Sequence, residues 1–216
     1  SNGVGTKERY EMIIDSWDFQ YDWVPDAGVE NRLEGYMFPD TYDFFLDESE
    51  ENVIKRFLSN FQVRVINTGI KTKAEEIGLS LHDAITLGSI IQIEGLRNDY
   101  TGISSVFHNR LKIGMKLQSD ATINYLLPPS ERKAKSTAEN MKLDNPYNTY
   151  MYKGLPPTAI CNAGYYAILA AVTPDVSDYY YFCADGNGGT VFAETLEEHE
   201  QNVKIFFLTL FFKCAS

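Results

Sequence analysis

The sequence has few of the residues that cross-link small proteins. Its 216 residues include three cysteines, Cys161, Cys183 and Cys214, and no Cys-x-x-Cys pair. So small and odd a number excludes a disulfide framework and a thiol-based zinc or redox motif. We therefore expect buried free thiols. A single bridge between Cys161 and Cys183 stays open as an alternative for a protein outside the cytoplasm.

Other patterns that carry chemistry are also missing. The three histidines, His82, His108 and His199, are scattered without metal-ligand spacing, so we expect structural or surface roles for them and no metal site. No glycine-rich phosphate loop follows a predicted strand, and no G-x-S-x-G motif is present. Nucleotide binding and serine nucleophile chemistry therefore have no support.

Long apolar runs are absent too. The most apolar stretch, 205–212 (IFFLTLFF), is far shorter than the ~20 residues that cross a bilayer, so it predicts a packed C-terminal helix. Hydrophobic residues make up 44% of the chain and charged residues 23%, which is typical of a folded globular protein. The length suits one sizeable domain or two small ones.

Basic residues are scarce at the beginning of the chain. Through Ile54 there are 14 acidic residues against 3 basic ones, whereas the remainder has 16 of each. The net charge of -11 therefore belongs to the first quarter. Because such a segment repels phosphate, it argues against nucleic acid as a partner.

Hydrophobic periodicity predicts more helices than strands, and the strands do not alternate regularly with the helices. The aromatic residues from Trp17 to Trp23 alternate as in a strand. The predicted helices cover Glu50 to about Ile70, Leu81–Gly95, Tyr100–Ile113, Asp120–Leu127, Ala163–Val172 and a final helix from about Leu196. A buried strand over Tyr179–Cys183, a turn and a returning strand over Thr190–Ala193 predict a hairpin. The fold class is therefore α+β, a helix-rich domain with a small antiparallel sheet or hairpin.

One carboxylate occupies an unexpected position. Glu94 shares a helical stripe with Leu87, Ile90 and Ile91. Apolar neighbours and the last turn of a helix both disfavour a charged carboxylate and raise its pKa, which would make Glu94 a proton donor. The alternative is an ordinary helix-end carboxylate that faces water or pairs with Arg97.

Five segments of the chain together resemble a known family. They are 33–42 (LEGYMFPDTY), 87–95 (LGSIIQIEG), 104–125 (SSVFHNRLKIGMKLQSDATINY), 145–164 (NPYNTYMYKGLPPTAICNAG) and 179–203 (YYYFCADGNGGTVFAETLEEHEQNV). Their order and content are similar to the MltG/YceG-like endolytic murein transglycosylases, over nearly all of the chain from Leu33 to Val203.

The resemblance implies an activity and its catalytic residue. These enzymes cleave the β-1,4 bond between N-acetylmuramic acid (MurNAc) and N-acetylglucosamine (GlcNAc) in nascent peptidoglycan and leave a 1,6-anhydroMurNAc end. The family's catalytic glutamate matches Glu94, whereas Gln92 stands at a neighbouring acidic position. A histidine that the family often has before the last strand is replaced by Thr190, while His199 matches a later helical histidine.

The resemblance also implies a setting. A member carries an N-terminal membrane helix and a further extracytoplasmic portion, so we expect this chain to be a fragment of a protein that is anchored in the cell membrane by one span, with its catalytic domain outside. Residues 1–32 would be an acidic remnant of the segment leading from that portion, and 33–216 the catalytic domain. Peptidoglycan strands are the expected partner, with peptidoglycan synthases as candidate protein partners and no cofactor.

Seven polar residues are expected to line a glycan-binding groove and to form hydrogen bonds with N-acetyl and hydroxyl groups of the sugars. They are Asn109, Arg110, Gln118, Ser119, Asp120, Asn148 and Tyr150. Arg110 or Lys116 would meet carboxylates of the substrate, and Asp120 is the best second acid. A hydrolytic muramidase and a non-catalytic peptidoglycan-binding module stay open as alternatives.

Overall fold

The computed structural model describes residues 4–133 and 135–214, with side chains as far as residue 206. Within these residues the structure has mostly helices and one two-stranded antiparallel sheet, which confirms the predicted α+β class. The elements are α1 (Lys7–Ser16), α2 (Glu50–Arg64), α3 (Ile70–Glu76), α4 (Leu81–Glu94), α5 (Tyr100–Lys112), α6 (Asp120–Leu126), α7 (Tyr165–Val172), β1 (Tyr181–Ala184), β2 (Thr190–Ala193) and α8 (Leu196–Cys214).

Helix α4 is the buried centre of the fold. It begins at a capping box in which Ser80 and Asp83 satisfy each other's backbone N–H groups. The eight residues 84–91 are all buried, so the helix is covered on every side. At Gly88 the backbone of α7 comes so close that a Cβ atom would lie 2.9 Å from Ile168 Cα. This close packing fixes α4, and with it the position of Glu94 at its end.

The hairpin of β1 and β2 is attached to α5. Its register pairs Tyr181 with Ala193 and Phe182 with Phe192. Phe182 packs edge-on against Phe107 of α5, with ring centroids 5.7 Å apart. The strand predicted over Thr190–Ala193 is confirmed, whereas the strand predicted over Tyr179–Cys183 begins two residues later and is partly exposed rather than buried.

The strand predicted between Trp17 and Trp23 is wrong. This segment follows α1, a helix that the sequence patterns missed, and has no regular secondary structure. Gln20 adopts a left-handed conformation (φ 57°), which interrupts extended backbone. The segment wraps around Arg32, whose guanidinium donates hydrogen bonds to the carbonyl oxygens of Ile14 and Trp17.

The helix predicted from Glu50 to about Ile70 is shorter in the structure. It ends at Arg64, and a single 3₁₀ turn leads to Gly69. Gly69 has φ 80°, a left-handed conformation that ends the 3₁₀ turn and immediately precedes α3.

Helices α4 to α7 begin and end within two residues of their predicted bounds, and α8 begins at the predicted residue. Helix α8 includes the apolar run 205–212, but its side chains from residue 207 onward lie outside the described residues, and its packing stays a prediction. No helix in the described part of the chain is long and apolar enough to cross a membrane.

The boundary expected between residues 32 and 33 stays a prediction. Ile13, Phe19 and Trp23 of the first segment belong to the same hydrophobic core as Leu33 and Tyr36.

Candidate active site

Glu94 is the last residue of α4, and the preceding turns explain its environment. Leu87, Ile90 and Ile91 are each 0% exposed, so the stripe predicted from the sequence is part of the core. Glu94 itself is half-buried and lines a cavity. The next residue, Gly95, is extended, and a Cβ atom there would collide with Ile103. Glycine is therefore required where α4 turns towards α5.

The surroundings of Glu94 favour its protonated form. Burial raises the pKa of Glu94, and the negative charge of Asp120 acts in the same direction. Three groups oppose this rise in pKa: the hydroxyl of Ser119, which donates a hydrogen bond to Oε1, the backbone N–H of Ala121, and the charge of Arg110. Burial is the largest cause, so the net pKa lies above that of an ordinary glutamate.

Glu94 does not form the alternative ion pair with Arg97. The guanidinium of Arg97 lies over the ring of Tyr166, 3.2 Å from the ring centroid. Gln92 also points elsewhere, because its amide donates to Tyr100 Oη (2.7 Å) and accepts from the N–H of Gly164 (3.0 Å). A carboxylate at position 92 could not donate the first of these bonds.

The loop that presents Ser119 is held by Thr149. Gln118, at φ 51°, donates its N–H to the carbonyl of Thr149, and the N–H of Ser119 donates to Thr149 Oγ1 at 3.0 Å. The hydroxyl of Thr122 lies 2.8 Å from the same Oγ1. Ser119 and Thr149 are both buried, so this network fixes the hydroxyl that contacts Glu94.

Asp120 is the second carboxylate of the site. Its Oδ1 accepts hydrogen bonds from Tyr150 Oη and from the N–H of Ser136, each at 3.0 Å. Burial and the neighbouring Asp120 raise the pKa of Tyr150, which therefore acts as a hydroxyl donor. Asp120 is thus fixed at one oxygen by groups of two different loops.

Arg110 is a buried charge in the wall of the site. It is 7% exposed, and its guanidinium donates to the carbonyl oxygens of Tyr180 (2.7 Å) and Leu117 (2.6 Å). Burial lowers the pKa of Arg110, and nearby Tyr181, Tyr150 and Glu94 oppose that change. These bonds join α5 to the hairpin and to the Ser119 loop.

Two of the predicted groove residues lie outside the cavity beside Glu94. Asn109 donates its amide hydrogens to the carbonyls of Ser177 and Tyr179, at 2.8 and 2.9 Å. Asn148 is fully buried and donates to the carbonyls of Met141 and Leu143. Both amides hold backbone segments and neither lines the cavity.

The other predicted residues come together around a cavity of about 500 Å³. Those on its wall are Glu94, Arg110, Gln118, Ser119, Asp120 and Tyr150. Its wall also includes Lys135, Tyr181, Cys183 and His199, which sequence analysis did not assign to the site. Lys116 is not part of it, and the exposed Lys135 provides the accessible cation instead.

A second cavity of about 550 Å³ continues on the other side of Glu94. The two cavities share Glu94 and the β1 residues Phe182, Cys183 and Ala184. The second is lined by the apolar side chains of Ile93 and Leu96 and by the glycine-rich turn of the hairpin. The shared residues place the two cavities next to each other at Glu94 and β1, and the two together are called the groove.

A larger cavity of about 660 Å³ lies elsewhere, next to Phe38, Arg64 and Tyr166. Its carboxylate, Asp40, pairs with Arg64 at 3.2 Å, and the pKa of Asp40 is lowered, chiefly by a hydrogen bond from Asn60. This acid is ionised and cannot donate a proton near neutral pH, so size does not identify the reactive site.

Two of the three cysteines, Cys161 and Cys183, have side chains among the described residues, and both thiols are free. Cys161 and Cys183 form no disulfide, as expected, and both are partly exposed rather than buried. Burial raises the pKa of both, to about 11 for Cys161, so neither is an activated nucleophile. The side chain of Cys214 lies outside the described residues. Among the described residues, no group of three or more His, Cys, Asp or Glu side chains could hold a metal ion.

Comparisons with known proteins identify relatives of this chain. The chain is 39% identical over 178 residues to the endolytic murein transglycosylase of Bacillus subtilis (strain 168), covering 82% of this chain and 48% of the relative. It is 33% identical over 202 residues to the endolytic murein transglycosylase of Streptococcus pneumoniae (strain ATCC BAA-255 / R6), covering 90% of this chain and 35% of the relative. The chain therefore spans about half or less of the length of these relatives.

A solved structure shows the same fold. The 2.6 Å crystal structure of a yceG-like protein from Listeria monocytogenes matches with a TM-score of 0.74 and 35% identity, covering 93% of this chain and 65% of that protein. The family model described as YceG-like matches residues 4–205. The chain therefore belongs to the YceG-like family.

Proposed function

We propose that this chain carries the catalytic part of an endolytic peptidoglycan lytic transglycosylase that uses Glu94 as its only catalytic carboxyl group. The observation that carries the proposal is a half-buried glutamate with a raised pKa at the middle of an open groove. The printed names of the Bacillus and Streptococcus relatives support the same activity.

The proposed substrate bond is the β-1,4 linkage from MurNAc to GlcNAc. Protonated Glu94 donates its proton to the glycosidic oxygen as the bond from C1 of MurNAc to that oxygen breaks. The GlcNAc fragment leaves with a new hydroxyl group, and MurNAc passes through an oxocarbenium-like state. The C6 hydroxyl of the same MurNAc then attacks C1, and the Glu94 carboxylate takes the hydroxyl proton. The products are a 1,6-anhydroMurNAc end and a regenerated Glu94.

The hydrogen bonds around Glu94 suit both halves of this cycle. Ser119 occupies Oε1, which leaves Oε2 to carry the proton towards the sugar. After the proton has left, Ser119, the N–H of Ala121 and the charge of Arg110 stabilise the carboxylate that remains. Burial then favours recovery of a proton, because the charged form is poorly solvated.

An endolytic enzyme must accept a strand that continues on both sides of the cleaved bond. The two cavities that meet at Glu94 provide such a path, and both are lined by a mixture of polar and apolar residues. In this proposal Gln118, Ser119, Asp120 and Tyr150 contribute polar groups to the glycan. Arg110 acts through its charge on Glu94, since its guanidinium is bound to backbone carbonyls.

The substrate also defines the setting of the proposed reaction. Peptidoglycan lies outside the cytoplasmic membrane, so the proposal places this part of the protein on the extracytoplasmic side of a membrane-anchored protein. Enzymes that synthesise glycan strands supply the substrate and are the candidate partners.

Mass analysis of digested peptidoglycan tests the proposal. Purified sacculi or polymerised glycan strands are incubated with the protein, and the released fragments are weighed. We expect anhydro ends, which are lighter by one water molecule than the ends made by a muramidase. Fragments that have gained water would establish hydrolysis instead, and binding without release would establish a non-catalytic module.

A matched pair of variants assigns the reaction to Glu94. We expect Glu94→Gln to lose at least about 100-fold in rate, since a positioned general acid contributes about 10²–10⁴-fold. The control, Glu139→Gln, makes the same change at an exposed residue outside the groove and should keep the wild-type rate. Full activity of Glu94→Gln with anhydro products would remove Glu94 from the mechanism.

A further inference from the structure

His199 has an unusual environment beside Glu94. It belongs to α8 and lines the same cavity, and its ring stacks on Tyr181 of β1 with centroids 5.5 Å apart and an interplanar angle of 26°. Its Nδ1 is withdrawn from solvent and has no hydrogen-bond partner among the described residues. Buried polar atoms in proteins nearly always have a partner, so this one requires an explanation.

The other two histidines show how the fold treats an imidazole with a structural role. Nδ1 of His82 is 3.0 Å from Tyr36 Oη, and its Nε2 is 2.8 Å from the carbonyl oxygen of Pro157. Nε2 of His108 is 2.8 Å from the carbonyl oxygen of Ala171. Each is held by protein groups that fix its orientation. No described group forms a hydrogen bond with the ring of His199, so rotation about its terminal torsion can bring either nitrogen to the cavity.

The charges around His199 keep it neutral. Burial lowers its pKa, and the cations Arg110 of α5 and Lys135 of the facing loop lower it further, while Glu200 opposes them. Glu94 of α4 and Tyr181 of β1 also face the cavity. A neutral imidazole has one donor and one acceptor nitrogen. It therefore suits uncharged groups that both donate and accept, such as sugar hydroxyls and acetamides, whereas a ligand carboxylate would favour the ammonium group of Lys135.

We propose that His199 is a substrate-binding residue whose ring nitrogen forms a hydrogen bond with a hydroxyl or acetamide group of a sugar in the cavity beside Glu94. This inference rests on the proposed function, since a glycan strand is the ligand. It explains why the ring nitrogen lacks a protein partner: the partner arrives with the substrate. His199 thereby provides a contact from α8, whereas Glu94 lies in α4.

Two substitutions separate this role from a structural one. His199→Phe keeps a ring that can stack on Tyr181 but removes both nitrogens, whereas His199→Gln loses the ring and keeps a donor and an acceptor. If His199 binds substrate, Phe weakens binding and Gln retains most of it. If the ring only supports β1, the order is reversed.

The measurement is equilibrium binding of a purified tetrasaccharide of alternating GlcNAc and MurNAc, with Glu94→Gln as the common background so that the ligand is not cleaved. We expect His199→Phe to weaken binding about 3- to 10-fold, the range of one neutral hydrogen bond. His199→Gln should stay within about twofold of the background. Circular dichroism and thermal melting of each variant verify the fold.

Nuclear magnetic resonance of the three imidazoles in the Glu94→Gln protein needs no His199 variant. We expect the ring signals of His199 to shift and its titration to change when the tetrasaccharide is added, while the ring signals of His82 and His108 stay in place. Unchanged His199 signals with bound ligand, or binding that no His199 substitution alters, would overturn the proposal and leave the proposed function standing. Absence of tetrasaccharide binding to Glu94→Gln would overturn the proposed function and this inference together.

Discussion

The hydrogen bond from Ser119 to Glu94 should control the pH range in which the proposed reaction proceeds. Ser119 donates to Oε1 and so stabilises the ionised carboxylate over the neutral acid. Ser119→Ala removes this stabilisation and raises the pKa of Glu94 further. Because the proposed mechanism starts from the protonated acid, we expect the alkaline limb of the pH–rate profile to move to higher pH.

The expected size follows from the type of bond that is lost. Hydrogen bonds to charged groups contribute about 1.5–3 kcal/mol net. Since about 1.4 kcal/mol corresponds to a tenfold change in an equilibrium, the ratio of protonated to ionised Glu94 should rise at least about tenfold at a given alkaline pH. The maximum rate should fall at the same time, because the carboxylate that remains after proton transfer is less stable.

The assay is the release of anhydro ends from glycan strands, measured as kcat/KM between pH 4 and pH 10, which reports the ionisation of the free enzyme. Ser104→Ala is a matched control, because it removes another buried hydroxyl, one that has no partner among the described residues and does not line the cavity. Its profile should coincide with that of the wild type. If the alkaline limb of Ser119→Ala stays in place or moves to lower pH, the reasoning that Ser119 acts through the ionised form of Glu94 is refuted.

Three further changes have signs that the structure determines. Asp120→Asn removes the negative charge that raises the pKa of Glu94, so the alkaline limb should move to lower pH, opposite to Ser119→Ala, in the same assay. Gly95→Ala places a Cβ atom against Ile103, and overpacking of this kind costs about 1–3 kcal/mol, which denaturant unfolding would reveal as a lower midpoint with an unchanged slope. Glu94→Gln should unfold at higher denaturant than the wild type near neutral pH. The raised pKa means that the wild type loses stability as the pH rises from the unfolded value of about 4.3 to the folded value, so the difference between the two proteins should vanish below about pH 4.

The sequence patterns predicted those parts of the fold that depend on local periodicity and on clear stop residues. Helix α4 and strand β2 were located to within a residue, because a capping box and a glycine-rich turn mark their ends. The strand predicted from the alternating residues between Trp17 and Trp23 is wrong, because this segment packs around Arg32 and is not an extended strand. Helix α1 was missed because little of its surface is apolar, and only Ile13 among its residues is buried.

The site was predictable to the extent that it depends on a single helix. The stripe from Leu87 to Ile91 indicates by its spacing that Glu94 adjoins the core. Tertiary packing, in contrast, sets the roles of the two asparagines and of Arg110. Asn109 and Asn148 bind backbone carbonyls whose position no local pattern reveals. His199 could not be assigned to the site for the same reason. It lies 105 positions after Glu94 in the chain, and only the tertiary fold brings it to the cavity.

The proton-donating form of Glu94 is therefore a property of the assembled fold and not of helix α4 alone. The helix supplies one desolvated side, the Ser119 loop supplies the hydrogen bond, and β1 covers the groove on the opposite side. Arg110 joins the last two, because it binds the carbonyl of Leu117 before the loop and that of Tyr180 before the strand. Loss of either contact would admit water to the carboxyl group and lower its pKa towards that of a free glutamate. A chain in which the hairpin has not docked would thus contain the proposed catalytic residue without its raised pKa, so the proposed activity should appear only when α5, the loop and the hairpin have come together.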